Sequence, residues 1–339
     1  MSCLRPVGLV AQAVATTAVA RRIVSLRSIA AYLPGSPMKR SSMMPWPVKL
    51  RQRAGSGAGR RTMTEVERRR VRVGDLDVHV ELMGRGDPVL LLHGFPDTLR
   101  LWRSVAPRLA AAGYRTIAPD LRGYGETGAP ASRSAYRIER MVDDATGLLR
   151  VLGIDEPVHV MGHDWGAALA WVFATLRPAS VRSAVAISVG HPSEYVLAGF
   201  EQRVKGLYVL GFQFPSLTEH WLSRNDYANL RHWLRSHPDP DECVSKVARP
   251  GRLTAGLNWY RANLGKVLVG RWPPCRVPVL GIWSTDDDFL AEDQMQRSAR
   301  RMAAAWRYER IDGAGHWLPL ERPEQIAALA MEWFERCRV

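Results

Sequence analysis

Three groups of side chains have the types and the order along the chain that a two-step nucleophilic reaction requires. Asp164 has a glycine two residues away on either side, three aspartates are adjacent at 286–288, and His316 lies near the C-terminus. A carboxylate can attack carbon, a histidine can act as a general base, and a second carboxylate can orient that histidine. This order of nucleophile, acid and histidine predicts a catalytic triad whose nucleophile is an aspartate.

The local pattern around Asp164 indicates how its side chain is presented. Gly162-His-Asp-Trp-Gly166 has the form G-x-D-x-G and lies between a predicted strand and a predicted helix. Flanking glycines permit a sharp turn that pushes the central side chain outward. Taken alone, the pattern is also compatible with a plain turn in which Asp164 caps the helix. The later acid and histidine favour the nucleophile.

An aspartate nucleophile limits which kinds of carbon the site can attack. A carboxylate that attacks an ester carbonyl would form a reactive anhydride, which disfavours esterase or lipase activity. Attack on a saturated carbon instead forms an alkyl ester on Asp164. His316 could then take a proton from water, and that water would attack the carboxyl carbon of Asp164. The residues therefore predict hydrolysis at a saturated carbon through a covalent ester.

Alternating strands and helices are predicted to position these groups. Residues 70–73 and 77–82 form a predicted antiparallel hairpin. Short apolar runs, typical of buried strands, follow at 88–92, 116–118, 158–161, 185–189 and 277–282, and helical periodicity occurs at 102–112, 138–152, 167–176 and 323–334. This alternation predicts an α/β fold with a mostly parallel, doubly wound sheet. Ligands of such sheets bind at the carboxyl ends of the strands, where the candidate residues lie.

Charge and composition exclude some classes of function. The 339 residues are 46% hydrophobic, without an apolar run of the roughly 20 residues that a membrane span needs. The net charge of +14 is concentrated at residues 1–70, which carry 14 basic and 2 acidic residues, whereas the remainder carries 33 and 31. We therefore exclude nucleic acid as a partner. The four cysteines are far apart, which predicts no disulfide framework or zinc site and favours a reducing, cytoplasmic location.

The chain divides into four predicted segments. Residues 1–63 form an extension that we expect to be a disordered arm or a start assigned too early, with a targeting or interaction segment as the alternative. Residues 64–190 and 272–339 make up the two parts of the core. Residues 191–271 break the strand–helix rhythm and form a predicted helical insertion over one end of the sheet.

The motifs together resemble α/β-hydrolase-fold enzymes of the branch that contains epoxide hydrolases and haloalkane dehalogenases. The resemblance covers residues 66–337 and rests on the run around Asp164, on His93-Gly-Phe-Pro and on Gly-Ala-Gly-His316-Trp. It implies an α/β-hydrolase fold whose helical insertion is a cap domain. It also implies that the acid lies three residues after the end of a strand, which selects Asp287 over its two neighbours.

The resemblance assigns further roles. The backbone N–H groups of Phe95 and Trp165 are the expected oxyanion hole, and His93 is expected to brace its loop. In epoxide hydrolases two cap tyrosines hold the epoxide oxygen, and Tyr208 and Tyr260 lie in sequence contexts similar to those motifs. Two other tyrosines of the insertion, Tyr195 and Tyr227, are interpreted as packing residues.

The resulting prediction is a soluble epoxide hydrolase that converts a small hydrophobic epoxide and water to a vicinal diol without a metal or organic cofactor. A haloalkane dehalogenase is the alternative. Its halide donors would be Trp165 and a cap tryptophan, Trp221 or Trp233, but Phe95 occupies the position where these enzymes often have asparagine. A ligand receptor that has the fold but no turnover is the second alternative. The sequence predicts neither the substrate nor the oligomeric state.

Overall fold

The structure is a computed structural model that describes residues 65–269 and 272–338. The predicted extension 1–63 and residues 270–271, at the predicted end of the insertion, lie outside the described residues. Within the described residues no helix combines the length and the hydropathy that crossing a membrane requires.

Eight strands form one sheet in the order β1-β2-β4-β3-β5-β6-β7-β8. The strands are β1 (Glu67–Val73), β2 (Leu76–Met83), β3 (Asp87–Leu92), β4 (Tyr114–Pro119), β5 (Val158–His163), β6 (Val181–Ile187), β7 (Val279–Ser284) and β8 (Trp306–Ile311). β2 pairs antiparallel with β1 and β4, and all the other pairs are parallel. The predicted mostly parallel α/β sheet, with its antiparallel hairpin at one edge, is confirmed.

Six helices belong to the core around the sheet, and six more are described in the insertion. The core helices are α1 (Val105–Ala111), α2 (Ile138–Val151) and α3 (Trp165–Leu176), followed after the insertion by α10 (Glu292–Arg297), α11 (Leu318–Glu321) and α12 (Pro323–Arg336). The insertion contains α4 (Pro192–Leu197), α5 (Phe200–Lys205), α6 (Leu207–Gly211), α7 (Leu217–Trp233), α8 (Pro240–Val247) and α9 (Arg252–Val269). We call residues 191–271 the cap.

One predicted helix was wrong in detail, and one strand was missed. The helix predicted at 102–112 is a 3₁₀ turn at Leu99–Trp102 followed by α1. Pro107 has no N–H to bond the carbonyl of Arg103, so one continuous helix cannot run through this segment. The strand β8 was not predicted at all. It is the edge strand, and most of its side chains are only half-buried, so it lacks the continuous apolar run of the central strands.

The cap is attached to the core by hydrogen bonds from buried side chains. The side chain of Asn263 in α9 accepts from the N–H of Ile138 at 2.8 Å and donates to the carbonyl of Tyr136 at 2.8 Å. The indole of Trp259 donates to the carbonyl of Arg122 at 3.0 Å. These bonds fix one face of α9 against the core, and Tyr260 lies between the two residues that make them.

Candidate active site

Asp164 occupies a sharp turn between β5 and α3. Its backbone has φ 52° and ψ −122°, a conformation that costs a non-glycine residue about 1–3 kcal/mol. Its carbonyl accepts from the N–H groups of Ala167 and Ala168 at 2.9 and 3.0 Å, which starts the helix. A Cβ at Gly94 would collide with the side chain of Asp164, and one at Gly166 would collide with the carbonyl of Leu92. The glycines are therefore needed for close approach of backbone to this aspartate.

The carboxylate of Asp164 is buried and held by backbone donors. Oδ1 accepts from the N–H of Phe95 at 2.9 Å, and the backbone of Trp165 also hydrogen-bonds this carboxylate. Burial raises the pKa of Asp164 above its ordinary value, while the positive charge of His316 and the two N–H groups act in the opposite direction. The N–H of Phe95, one of the two predicted oxyanion donors, thus already holds Oδ1 of the predicted nucleophile, and the other, Trp165, bonds the same carboxylate.

His316 lies between Asp164 and Asp287. Its Nδ1 is 2.9 Å from Oδ2 of Asp287, and its Nε2 is 3.9 Å from Oδ2 of Asp164. The other oxygen of Asp287 accepts from the N–H groups of Phe289 and Leu290 at 2.8 and 2.9 Å. These bonds orient the carboxylate towards the imidazole, so that Nδ1 carries the ring proton and Nε2 presents a lone pair to the pocket.

Burial and neighbouring charges determine the pKa values of Asp287 and His316. Burial alone would raise the pKa of Asp287, but the charge of His316 and the hydrogen bonds to Oδ1 and Oδ2 lower it below its usual value. Burial would lower the pKa of His316, yet the charge and hydrogen bond of Asp287, and then the charge of Asp164, raise it above 6.5. Asp286 and Asp288 are exposed and bond Thr285 and Arg235 instead.

Tyr208 and Tyr260 face the same pocket as Asp164. Their ring centroids are 6.0 Å apart and their side chains hydrogen-bond each other. The side chain of Trp165 hydrogen-bonds Tyr260, and because an indole N–H can only donate, the phenol oxygen of Tyr260 is the acceptor. Burial raises the pKa of both tyrosines well above 10, so both phenols keep their protons.

The pocket is a largely apolar cavity that opens to solvent. Apart from Asp164 and the two tyrosines, its walls include Leu290 and Trp272. An apolar wall with a few converging polar groups is typical of a site for a small organic ligand.

The structure also places His93, Tyr195 and Tyr227, to which the sequence analysis gave structural roles. His93 accepts from the N–H of Leu121 at 3.0 Å and lies 3.0 Å from the carbonyl of Gly94, so it braces its loop as predicted. Tyr195 was interpreted as a packing residue, but it lines the pocket and its hydroxyl hydrogen-bonds Gln202. Tyr227 lies in a non-helical break within α7 and packs against the core.

Sequence reasoning missed two buried positioning residues. His163, beside the predicted nucleophile, has Nε2 at 2.9 Å from the carbonyl of His316, and burial lowers its pKa to about 3, so it stays neutral. Arg261, beside Tyr260, forms a two-pronged ion pair with Glu219 and donates to the carbonyl of Phe212 at 2.8 Å. The only sequence feature that could have pointed to His163 and Arg261 is that each directly adjoins a predicted site residue, Asp164 or Tyr260.

Comparison with known proteins places the chain in a family. Residues 87–323 match the alpha/beta hydrolase fold family. Epoxide hydrolase 3 of Siraitia grosvenorii is 39% identical over 310 residues, covering 78% of this chain and 97% of the relative. Epoxide hydrolase 4 of Homo sapiens is 32% identical over 278 residues, covering 77% and 76%.

Solved structures agree with these relatives. Epoxide hydrolase A of Mycobacterium thermoresistibile superposes with a TM-score of 0.69 at 28% identity, covering 80% of this chain and 98% of that one. An epoxide hydrolase of Vigna radiata has a TM-score of 0.69 at 29% identity, covering 81% and 100%. The chain belongs to the alpha/beta hydrolase fold family and, among its members, to the epoxide hydrolases, a class of hydrolases that act on ether bonds.

Proposed function

We propose that the protein hydrolyses a hydrophobic epoxide to a vicinal diol through a covalent ester on Asp164. The observation that carries the proposal is an aspartate at the strand–helix turn, with His316 on one side and two protonated phenols across the pocket. A carboxylate suits attack at a saturated carbon, and phenols suit a leaving oxygen that departs as an alkoxide.

In the first step Oδ2 of Asp164 attacks an epoxide carbon. The other oxygen, Oδ1, is held by the N–H of Phe95, so Oδ2 is the free nucleophile. The carbon–oxygen bond of the ring breaks, and the ring oxygen takes its pair of electrons and a proton delivered through Tyr208 or Tyr260. The phenol oxygen of Tyr260 accepts from the indole of Trp165, so the proton of Tyr260 can be donated only to Tyr208 or to the substrate.

In the second step water hydrolyses the ester. His316 takes a proton from water through Nε2, and the hydroxide attacks the carboxyl carbon of Asp164. The negative charge then develops on Oδ1, which already accepts from the N–H of Phe95, and the backbone of Trp165 also hydrogen-bonds this carboxyl group. Asp287 stabilises the imidazolium until cleavage of the bond between the carboxyl carbon and Oδ2, when the imidazolium gives its proton to the departing oxygen and the diol is released. The second proton of the attacking water leaves the carboxyl group, which restores the carboxylate, and replaces the proton that the tyrosine gave up in the first step.

The haloalkane dehalogenase alternative finds fewer donors for a halide. The indole N–H of Trp165 already donates a hydrogen bond to Tyr260. Trp221 is 48% exposed, Trp233 packs against Tyr208 and Phe289, and the side chain of Phe95 packs against Tyr260.

Parallel assays separate the candidate functions. The full chain is given an aryl epoxide and a bromoalkane, and diol and bromide are measured. Diol without bromide is the expected result. Bromide without diol would overturn the proposal in favour of dehalogenation. Binding of the epoxide by calorimetry with no release of either product would favour a receptor.

Removing the phenols should slow epoxide opening. We expect Tyr208→Phe and Tyr260→Phe each to lower kcat/KM for the epoxide by about 10²-fold, and the double variant by about 10²–10⁴-fold, because the alkoxide would depart without a proton donor. Tyr195→Phe is the matched control: it removes a hydroxyl from the same pocket that is bonded to Gln202, and it should change kcat/KM only a few-fold. An effect of Tyr195→Phe equal to the others would contradict the assignment.

The triad acid can be separated from its neighbours. Asp287→Asn should lower kcat by roughly 10²–10⁴-fold, because an amide cannot hold the Nδ1–H tautomer or stabilise the imidazolium. Asp286→Asn and Asp288→Asn, which change exposed carboxylates one residue away, should retain near-normal kcat. Steady-state kinetics on the three variants makes the test, and the largest loss at 286 or 288 would refute the choice of Asp287.

The pKa of His316 should depend on the charge of Asp164. That carboxylate is one of the groups that raise it, and ester formation neutralises the carboxylate 3.9 Å away. The pKa therefore falls in the ester intermediate, and the ring loses its proton when it must act as a base. Ester hydrolysis needs neutral His316, so its rate should rise with pH through this lowered pKa.

The neutral variant Asp164→Asn mimics the ester in charge, and NMR titration of His316 should give a lower pKa in the variant than in the wild type. Equal values in the two proteins would contradict this coupling. The wild-type value is expected above 6.5.

We also infer that the protein functions in the cytoplasm. Cys243, Cys275 and Cys337 are free thiols, which suits a reducing compartment. Fractionation of cells that express the full chain, followed by immunodetection, tests this.

A further inference from the structure

The loop that carries His316 crosses the ends of neighbouring strands. Residues 312–317 follow β8, at the edge of the sheet, whereas Asp164 follows β5, and the strand order is β5-β6-β7-β8. Neighbouring strands lie about 4.8 Å apart, so the distance across these strand ends is roughly 14 Å. Gly313 and Gly315 lie in the loop and have no side chains that could anchor it. Bonds to the backbone of this loop must therefore help to hold His316 in place.

Two buried serines at the ends of the middle strands donate to this loop. Ser284 is the last residue of β7, and its hydroxyl donates to the carbonyl of Gly315 at 2.6 Å. Ser188 directly follows β6, and its hydroxyl donates to the carbonyl of His316 at 3.2 Å. Both serines are fully buried, so neither bond competes with bulk water. Two consecutive carbonyls of the loop are thus held, and the second belongs to the proposed base itself.

The carbonyl of His316 accepts from two further donors. His163, the last residue of β5, lies with Nε2 at 2.9 Å from this carbonyl, and because a carbonyl can only accept, Nε2 carries the ring proton. The N–H of Leu318 donates to the same oxygen at 3.0 Å. Together with the hydroxyl of Ser188, these donors surround one oxygen and leave its peptide group little freedom to turn.

The backbone of Ser188 is strained in the same sense as that of Asp164. Its φ is 69°, in the left-handed region that favours glycine, and among the described residues of the core only these two are non-glycine residues with a positive φ. Such strain persists at functional sites when the surrounding structure holds it. Here the side chain of Gln294 donates to the carbonyl of Ser188 at 2.9 Å. A glycine would adopt this conformation freely, but it would have no hydroxyl for His316.

We propose that Ser188 and Ser284 are positioning residues for hydrolysis of the ester. Neither lines the pocket, so both act through His316, whose Nε2 must reach the water that attacks the carboxyl carbon of Asp164. A misplacement of about 1 Å can cost about 10²-fold in rate. Attack by Asp164 on the epoxide needs no base and does not depend on this placement. The inference rests on the proposed ester mechanism, and it restricts the effect of the two serines to the second half-reaction.

Rapid-mixing kinetics with the full chain and an aryl epoxide test the proposal. Intact-mass analysis of quenched samples follows formation of the ester on Asp164, and diol release follows its hydrolysis. Ser188→Ala and Ser284→Ala should each slow ester hydrolysis about 10-fold, and the double variant about 10²-fold, while ester formation stays within about 2-fold of the wild-type rate. Circular dichroism confirms that each variant folds. Equal slowing of both steps, or of neither, would overturn the proposal.

Two further variants separate the hydroxyl from backbone strain and from stability. Ser188→Gly lacks the hydroxyl but relieves the strain, so it should hydrolyse the ester as slowly as Ser188→Ala and have a Tm a few degrees higher. Ser183→Ala is the matched control, because it removes a buried hydroxyl from the other end of β6, where Ser183 lies 2.8 Å from Nδ1 of His159. Both of its rates should be normal. Ester hydrolysis at the wild-type rate in Ser188→Gly would mean that Ser188 serves only the backbone, and the proposal would fail.

A measurement without epoxide separates this inference from the proposed function. The buried Nδ1–H of His316, which faces Oδ2 of Asp287 at 2.9 Å, should give a far-downfield proton NMR signal that exchanges slowly with water. In Ser188→Ala and Ser284→Ala the loosened loop should speed this exchange about 10-fold, whereas Ser183→Ala should leave it unchanged. Unchanged exchange in both loop variants would overturn the positioning role. Faster exchange in a protein whose wild type opens no epoxide would support the positioning of His316 and overturn the proposed function alone.

Discussion

Asp164→Asn is expected to lower epoxide turnover by roughly 10⁴–10⁶-fold, the scale of loss when a catalytic nucleophile is removed. The amide has nearly the same shape as the carboxylate, so it can still accept from the N–H of Phe95. It lacks the negative charge that forms the bond to carbon, and no ester can accumulate on it. The measurement is diol formation in single- and multiple-turnover assays.

The control for this variant must separate loss of the nucleophile from loss of charge. Asp286→Asn removes one negative charge from an exposed position near the same end of the sheet and should retain activity. Asparagine at a strained turn can deamidate slowly, so activity that grows with incubation time, together with return of the wild-type mass, would still support the assignment. Full initial activity without deamidation would exclude Asp164 as the nucleophile.

The sequence predicted the turn and the sheet around Asp164 because both depend on local patterns. Continuous apolar runs mark strands that are buried on both faces, and they located β3 and β5. The two glycines around Asp164 are required by close backbone approach, which is a local constraint that a sequence motif records. By contrast, β8 is half-exposed at the sheet edge and has no such signature.

Within the site too, positions that a local pattern marks were predicted, and positions that tertiary contacts determine were not. The family resemblance, which places the acid three residues after the end of the strand, selected Asp287. The N–H groups of Phe289 and Leu290 explain why this one of three aspartates turns inward. The position of Tyr195 on the pocket wall depends on how the cap folds over the core, which no local pattern encodes.

His316→Gln should separate the two half-reactions. Glutamine cannot take a proton from water, so hydrolysis of the ester should slow by roughly 10²–10⁴-fold, while attack by Asp164, which needs no base, continues. Alkylated enzyme should therefore accumulate after the rapid first half-reaction. Intact-mass analysis after mixing with an aryl epoxide should show an adduct equal to the full mass of the epoxide, because ring opening expels no atom, and peptide mapping should place it on Asp164.

The mass of the adduct also distinguishes the proposed reaction from its rival. A bromoalkane that alkylated Asp164 would add its own mass less hydrogen bromide, since the halide departs. His220→Gln, on the exposed face of the cap, is the matched control and should show neither an adduct nor a loss of turnover. If His316→Gln lost turnover without any adduct, His316 would be needed for the first step, and the two-step scheme would have to be abandoned. An adduct in His316→Gln that disappears in the double variant with Asp164→Asn would assign one residue to each half-reaction.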